Sequence, residues 1–454
     1  MPGPNPASAR PATYGELFAG SEFRAVYSAA TLSWIGDYLA RAAVTALVLH
    51  ITGSVVLSAS SFAIGYLPSL TAGPVLAALV ERHPPRVVMV TCDAARMVMI
   101  GVVAIPGVPV PVLFVLLFLS ALAASPFEAC RSSLLPRMLG GERYIVAISA
   151  FNTTNSLTLV LGYFVGSLAG STDPHLTLAI DAATFALSGA LIRWGVGSYG
   201  PNMAAGHRTG LLRETRDGFR MVLGNHVPRS IIFAVLGGSL MAIVPEGLAA
   251  AWAARLSPTS DHRALYQALI MMSVPAGGAV AAIVIGRLVR PETRRRLIRP
   301  FTLLVPLAMI GVLADPSAAG VTAIGIVVGF AMTSVVIPAN AMYVRAIPVS
   351  FRARAFGVMQ FGAQIVQGGG LIVSGALVDG FPLHLVIGYW GVAGLILMIL
   401  TVAQWPSEDE VEAATQEAAA TAAEPTLAAA AESDVPIPAP ARRRALRGAS
   451  AGRD

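Results

Sequence analysis

Ionisable side chains inside long apolar stretches are the residues of this sequence best placed to do chemistry. Asp37 and Arg41 lie four residues apart and therefore share a helix face, which predicts an ion pair between them. The two residues either form a site for substrate or a proton, or they only neutralise each other and stabilise packing. Glu246 follows Pro245 and has no oppositely charged residue within a helical turn. A buried carboxyl group without a partner tends to stay protonated, which predicts a proton carrier or a cation ligand. The alternative is a carboxyl group near the outer helix end that simply reaches water. Asp181 is a weaker candidate of the same kind.

Two groups of uncharged polar residues repeat at helical spacing inside apolar stretches. They are Asn152, Asn155 and Ser156 in one stretch, and Gln360, Gln364 and Gln367 in another. Because side chains three or four residues apart share a helix face, each group would form a polar stripe. Such stripes either line a cavity that hydrogen-bonds an amphiphilic molecule or join neighbouring helices to one another. Both interpretations fit the sequence.

The composition places these residues in a membrane domain. Of 454 residues, 55% are hydrophobic and 12% are charged, against ~25% charged in an ordinary soluble domain. A water-soluble chain of this length could not cover its surface with so little charge. The composition therefore argues against a cytosolic enzyme, a nucleic-acid binder and a disordered scaffold, and it indicates one polytopic membrane domain.

The sequence contains no recognisable catalytic motif. It has no Walker A loop, no H-E-x-x-H pair and no G-x-S-x-G elbow, and its two cysteines, Cys92 and Cys130, do not have a metal-ligand spacing. We therefore expect no enzymatic activity, no catalytic residues, no cofactor and no metal site.

Twelve segments are long and apolar enough to cross a bilayer, which needs about 20 residues per helix. The predicted spans are 24–51, 54–80, 87–107, 109–130, 144–170, 174–196, 229–254, 264–289, 297–314, 317–345, 354–379 and 382–404. Every basic residue is arginine, and the arginines concentrate in alternate loops. By the positive-inside rule, both termini and the central loop are predicted to be cytoplasmic, in a multi-pass protein of the cell membrane.

An internal repeat divides the twelve spans into two halves. The stretch from Gly73 to Arg82 resembles that from Gly278 to Arg287, and Gly162 with Pro174 corresponds to Gly370 with Pro382. Two matches at nearly the same spacing indicate a duplicated six-helix unit. The predicted segments are an N-terminal cytoplasmic segment (1–22), a six-helix bundle (23–196), a cytoplasmic central loop (197–228), a second six-helix bundle (229–405) and a disordered cytoplasmic tail (406–454).

Several local motifs resemble those of the major facilitator superfamily, in particular a bacterial subgroup that includes enterobactin-type siderophore exporters and macrolide efflux pumps. The matching stretches are Gly36-Asp37-Tyr38-Leu39, Gly73-Pro74, Glu81 to Arg86, Ala129 to Pro136 and Arg354 to Gly375. The usual Asp-Arg-x-x-Arg-Arg loop motif here begins with Glu81 and has one arginine fewer, and the fifth span lacks the proline of the antiporter motif.

The resemblance implies an all-α fold of twelve transmembrane helices in two halves, and a set of charged residues that closes the cytoplasmic side. Residues that would form this cytoplasmic gate are Glu81, Arg82, Arg86, Asp93, Arg96, Glu128 and Arg131. The alternative is that these charges simply reach the lipid headgroups.

The function that follows is secondary-active, proton-coupled efflux of a small amphiphilic molecule such as a drug, siderophore or secondary metabolite. The alternatives are an importer or lipid flippase on the same scaffold, or a membrane sensor or scaffold that transports nothing. The expected partners are the substrate, protons and the lipid bilayer, without nucleic acid, and the expected state is a monomer.

Overall fold

A computed structural model describes residues 13–68, 83–200, 211–257 and 262–432. The helices of the first half are α1 (Tyr14–Ala19), α2 (Ser21–Thr52), α3 (Val55–Ala63), α4 (Pro85–Val103), α5 (Val110–Met138), α6 (Glu142–Thr172) and α7 (Pro174–Gly195). Those that follow are α8 (Leu211–Gly224), α9 (His226–Gly247), α10 (Ala249–Leu256), α11 (Arg263–Ile283), α12 (Pro291–Ile310), α13 (Ala318–Ala346), α14 (Arg352–Gly380), α15 (Leu383–Ala403) and α16 (Glu408–Glu432).

The predicted class, an all-α membrane protein, is confirmed. Within the described residues, ten helices are long and apolar enough to cross a membrane. Two predicted spans are not among these ten. The second is described only in its first part, Val55–Tyr66. The third is α4, a 19-residue helix that carries the charged residues Asp93 and Arg96.

Close contact between α2 and α6 depends on glycines one turn apart. A Cβ atom on Gly166 would lie 2.6 Å from the Cα of Leu39, and one on Gly170 would lie 2.7 Å from the Cα of Ala43. Small residues at this spacing let two membrane helices approach to backbone contact. The close approach holds α2, which carries Asp37 and Arg41, directly against α6 within the first half of the protein.

The two halves contact each other on one side of the protein. We call the side on which α2 begins the N-terminal side. On the opposite side, the Gln267 amide of α11 donates a hydrogen bond to the Ala42 carbonyl of α2, at 2.9 Å. The Asp379 carboxylate of α14 accepts from the backbone N–H of Val55, at 3.2 Å, and so caps the start of α3. These contacts close the space between the halves on that side.

Two regions predicted as loop or tail contain helices. In the central loop, α8 packs against α14, where Val222 is buried and the Phe219 ring lies 6.1 Å from that of Phe361. Apolar residues at helical spacing drive this packing. The prediction of a disordered tail is wrong for the described part, 408–432, where Ala and Glu of high helix propensity form α16.

The start of α16 is fixed by a capping box. The Ser407 hydroxyl accepts a hydrogen bond from the backbone N–H of Glu410, at 3.2 Å, and the Glu410 carboxylate accepts one from the Ser407 backbone N–H, at 2.8 Å. The bond from the Ser407 backbone, aided by the neighbouring His226, holds the pKa of the Glu410 carboxyl below its usual range. The helix then packs against α13.

Candidate functional site

A cavity of about 700 Å³ lies between the two halves on the N-terminal side. Residues of α2, α4, α5 and α6 form most of its wall, and α14 contributes Gln360 and Gln364 from the other half. Two acidic side chains in the wall, Asp37 and Glu128, are 30% and 39% exposed, so water reaches both. The cavity therefore holds charged, aromatic and amide groups around one solvent-accessible space.

The predicted polar stripes contribute to this cavity unequally. Asn152, Asn155, Gln360 and Gln364 line it. Asn155 also joins two helices, because its amide nitrogen donates to the Tyr38 hydroxyl at 3.1 Å. Gln367 lines a neighbouring cavity, whereas the Ser156 hydroxyl donates to the carbonyl of Asn152 on its own helix, at 3.0 Å. Some residues of the polar stripes therefore line a cavity, and Asn155 also joins neighbouring helices, as the two interpretations predicted.

The partner of Asp37 is Arg96 of α4, not Arg41 on its own helix. The prediction of an Asp37–Arg41 pair is wrong because α4 packs within the same half and brings a second guanidinium to the carboxylate. Arg96 is buried, and its guanidinium lies 4.0 Å from the centre of the Phe185 ring of α7. The ion pair thus connects α2 to α4 beside α7.

Arg41 lies among aromatic rings. Its guanidinium carbon is 6.0 Å from the ring centre of Tyr38, 5.8 Å from that of Phe62 and 5.7 Å from that of Tyr66. Among the residues that the structure describes, Arg41 has no carboxylate within 4.0 Å. The faces of aromatic rings attract a cation, so the rings replace the expected carboxylate.

Glu246 faces Arg41 from the other half of the protein. Both residues line a cavity of about 270 Å³, together with Tyr66, Tyr163 and Gln367. Arg41 and Tyr163 interact electrostatically with the Glu246 carboxyl group. No oppositely charged residue lies within one helical turn of Glu246 in the sequence, because these neighbours belong to helices that are distant in the chain. Glu246 is the second-last residue of α9, is half-buried and lines this cavity between the halves.

Two more acidic residues lie beside the Asp37–Arg96 pair. Asp181 and Asp93 are 1% and 0% exposed. The Ser188 hydroxyl donates to Asp93 at 2.6 Å, and Asp181 packs against Gly36 and Thr184. One oxygen of each carboxyl group has no hydrogen-bond partner among the described residues. A cavity of about 120 Å³ connects Asp181 with Asp37, Arg41 and Arg96.

The described members of the predicted cytoplasmic gate do not form one network. Arg96 pairs with Asp37, and Asp93 bonds to Ser188. Arg131 pairs with Glu128 of its own helix, while Arg86 donates to the backbone carbonyl of Arg193. Arg86 lies at the start of α4, whereas Asp93 and Arg96 lie about two to three turns further along the helix and are buried inside the protein. The charged residues of α4 are therefore too far apart to form one network. Glu81 and Arg82 lie outside the described residues.

Aromatic residues of the cavity were missed in the sequence. The Arg131 guanidinium lies 4.6 Å from the ring centre of Phe151 and 5.3 Å from that of Trp34, and the Trp34 indole donates to Glu128 at 3.2 Å. Trp34 and Tyr38 are four residues apart on the helix that carries Asp37. Two aromatic residues at helical spacing beside an ionisable residue could have indicated an aromatic wall of the cavity from the sequence alone.

In the parts of the chain that the structure describes, no group of three or more His, Cys, Asp or Glu side chains could hold a metal ion.

Sequence and fold comparisons agree on the class of protein. The sequence profile of the Major Facilitator Superfamily matches residues 26–367. The chain belongs to the major facilitator superfamily and is a secondary transporter, not an enzyme. None of the curated proteins compared with the chain is significantly similar to it in sequence.

Solved structures of transporters share the fold. The nucleoside transporter NupG superposes with a TM-score of 0.66 at 16% identity, covering 85% of this chain and 100% of that one. A POT family transporter in complex with 5-aminolevulinic acid gives 0.65 at 11% identity, with 84% and 95% covered. A peptide transporter POT in complex with sulfate gives 0.61 at 14% identity, with 87% and 96% covered. At these identities the likeness concerns the fold alone.

Proposed function

We propose that this transporter exports a small amphiphilic molecule in exchange for protons, by alternating access. The observation that carries the proposal is the cavity of about 700 Å³, which is accessible from the N-terminal side while the halves are in contact on the opposite side. With a cytoplasmic N-terminus, as the arginine distribution predicts, this is the state in which an exporter takes up its cargo.

The lining of the cavity fits an amphiphilic cargo. Trp34, Phe127 and Phe151 offer aromatic surface, whereas Asn152 and Gln360 offer amide donors and acceptors. The wall also contains charged side chains, among them Asp37, Glu128 and Arg131, so the cavity combines apolar, polar and charged surface. A drug, siderophore or secondary metabolite with a ring system and polar substituents would use both kinds of contact.

Proton coupling is assigned to Glu246 because it faces Arg41 across the boundary between the halves. The ionised carboxylate attracts the Arg41 guanidinium, and protonation removes that attraction. One proton therefore changes a contact between α9 and α2, the helices that must move relative to each other. The Asp37–Arg96 pair lies within one half and orients substrate or stabilises that half.

The test is transport in everted membrane vesicles, with radiolabelled erythromycin and ethidium as probes and an imposed pH gradient as the energy source. Uptake should be independent of ATP and abolished by an uncoupler. Glu246→Gln should abolish uphill uptake but retain downhill exchange, because a permanently neutral group cannot carry a proton yet need not block the cavity. The control is Asp315→Asn, which neutralises an exposed carboxylate of the same half, paired with Arg255.

The outcomes separate the alternatives. If Glu246→Gln concentrates the probes like the wild type at every pH, the proton-carrier assignment is wrong. Uptake only into right-side-out vesicles indicates an importer, and probe-independent movement of labelled phospholipid indicates a flippase. No transport in either orientation, by protein of normal abundance, favours a sensor or scaffold.

A further inference from the structure

A cavity of about 580 Å³ lies on the N-terminal side, away from the transport site. It is enclosed by the start of α12, the end of α13 and the first turns of α16. Its basic residues are Arg295, Arg296 and Arg299 of α12 and Arg345 of α13. All four arginines are exposed.

The charges of this cavity are unbalanced. Among the described residues, no carboxylate lies within 4.0 Å of any of the four guanidinium groups. Glu408 and Glu412 of α16 also line the cavity but form no ion pair with these arginines. Four positive charges and two negative ones leave an excess of two positive charges around an open space.

The cavity lies at the depth of lipid headgroups. The apolar part of α12 begins directly after Arg299, and Trp405 lies where α15 has just ended. Trp405 is half-buried and forms part of the wall, next to the apolar side chains of Met342 and Val411. Tryptophan is typical of the boundary between a bilayer and water.

We propose that this cavity binds the phosphate-bearing headgroup of an anionic phospholipid of the adjacent leaflet. Guanidinium groups bind phosphate oxygens in pairs of parallel hydrogen bonds, and basic pockets between membrane helices suit such headgroups. A lipid with two phosphates, such as cardiolipin, matches the excess of two positive charges. Met342, Trp405 and Val411 contact its glycerol and upper acyl carbons. The site is separate from the transport cavity and does not depend on which substrate is carried.

The experiment is lipid titration of the purified full-length protein, followed by native mass spectrometry. The probes are cardiolipin, phosphatidylglycerol, phosphatidylethanolamine and inorganic phosphate. The variant Arg299→Gln/Arg345→Gln removes one arginine from each of two helices. The control Arg287→Gln/Arg290→Gln removes the same charge from exposed residues outside the cavity.

We expect the wild type to bind cardiolipin more tightly than phosphatidylglycerol, and both more tightly than phosphatidylethanolamine. Each cavity arginine removed should weaken cardiolipin binding about fivefold, and the control should change it less than about twofold. Equal losses in both double variants would mean general surface charge and overturn the proposal. Displacement of cardiolipin by millimolar inorganic phosphate would identify free phosphate as the occupant and overturn the assignment to lipid.

Discussion

The carboxylate of Asp37 pairs with the guanidinium of Arg96 across two helices, although Arg41 lies one turn away on the helix of Asp37. Arg96 is 3% exposed and Asp37 30%. The buried Arg96 guanidinium is therefore neutralised by a carboxylate that is itself partly hydrated. Loss of the Asp37 carboxylate leaves the buried Arg96 cation without the partner that it contacts directly, whereas Arg41 is not a member of this pair.

We expect Asp37→Asn to lower the free energy of unfolding by about 3 kcal/mol, because it leaves Arg96 buried without its partner. A double-mutant cycle with Arg96→Gln should give a coupling energy of about 1–3 kcal/mol. The same cycle with Arg41→Gln should give less than about 0.5 kcal/mol. The measurement is unfolding of the detergent-solubilised protein by sodium dodecyl sulfate. A larger coupling to Arg41 than to Arg96 would contradict the pairing.

We expect Gly166→Ala to destabilise the protein by about 1–3 kcal/mol, because the new methyl group would lie too close to the backbone of Leu39. The matched control is Gly369→Ala on α14, where an added Cβ has no atom within 4 Å. The control should be neutral or slightly stabilising, since alanine is the better helix former. Thermal unfolding of both variants checks this, and equal effects would show that the close approach of α2 and α6 is unimportant.

We expect Asp379→Ala to favour the state that is open on the side opposite the N-terminal side. The substitution removes the carboxylate that caps α3 from the other half. Loss of a helix cap costs about 1 kcal/mol, which is about a fivefold change in the ratio of two conformations. Spin labels at Thr172→Cys and Leu265→Cys, one in each half, should report a larger population of long distances by pulsed electron resonance.

The control for Asp379 is Asp173→Ala. Asp173 caps α7 by accepting from the backbone N–H of Leu176 at 2.9 Å, entirely within one half. Both variants lose a carboxylate cap on the same side of the protein, but only the cap from Asp379 joins the halves. A similar shift of the label distances in both variants would contradict a role for the cap between the halves.

We expect reporter fusions placed after Arg213 and after Pro406 to report cytoplasm, and a fusion after Gly107 to report the opposite side. The physical reason is the excess of arginine in alternate loops, which are retained on the cytoplasmic side during insertion. Paired phosphatase and fluorescent-protein fusions provide the measurement. A non-cytoplasmic signal at either of the first two positions would reverse the predicted orientation and, with it, the direction of the proposed transport.

Much of the fold could be predicted because membrane spans have a strong local signal. The run of apolar residues 317–345 predicted α13, and the structure places that helix at Ala318–Ala346. The shorter α16 was missed because its signal is helix propensity without apolar periodicity. The Ala and Glu residues that suggest disorder are also good helix formers. Packing against α13 stabilises the helical state over the disordered one.

The charge partners could not be predicted because they depend on how helices face each other. In the sequence, Asp37 has one close basic neighbour, Arg41, whereas Arg96 is 59 residues away. Only the packing of α2 and α4 shows which guanidinium reaches the carboxylate. The same limit applies to Glu246, whose neighbours Arg41 and Tyr163 come from the other half.

The sequence distance between Asp37 and Arg96 has a consequence for biosynthesis. Because 59 residues separate the two, Asp37 is synthesised between roughly 3 and 12 s before Arg96. During that interval the carboxylate must enter the translocon without Arg96, and the only guanidinium on the same helix face is that of Arg41. On the nascent helix, Arg41 is therefore the guanidinium within one turn of Asp37, whereas in the folded protein the carboxylate pairs with Arg96.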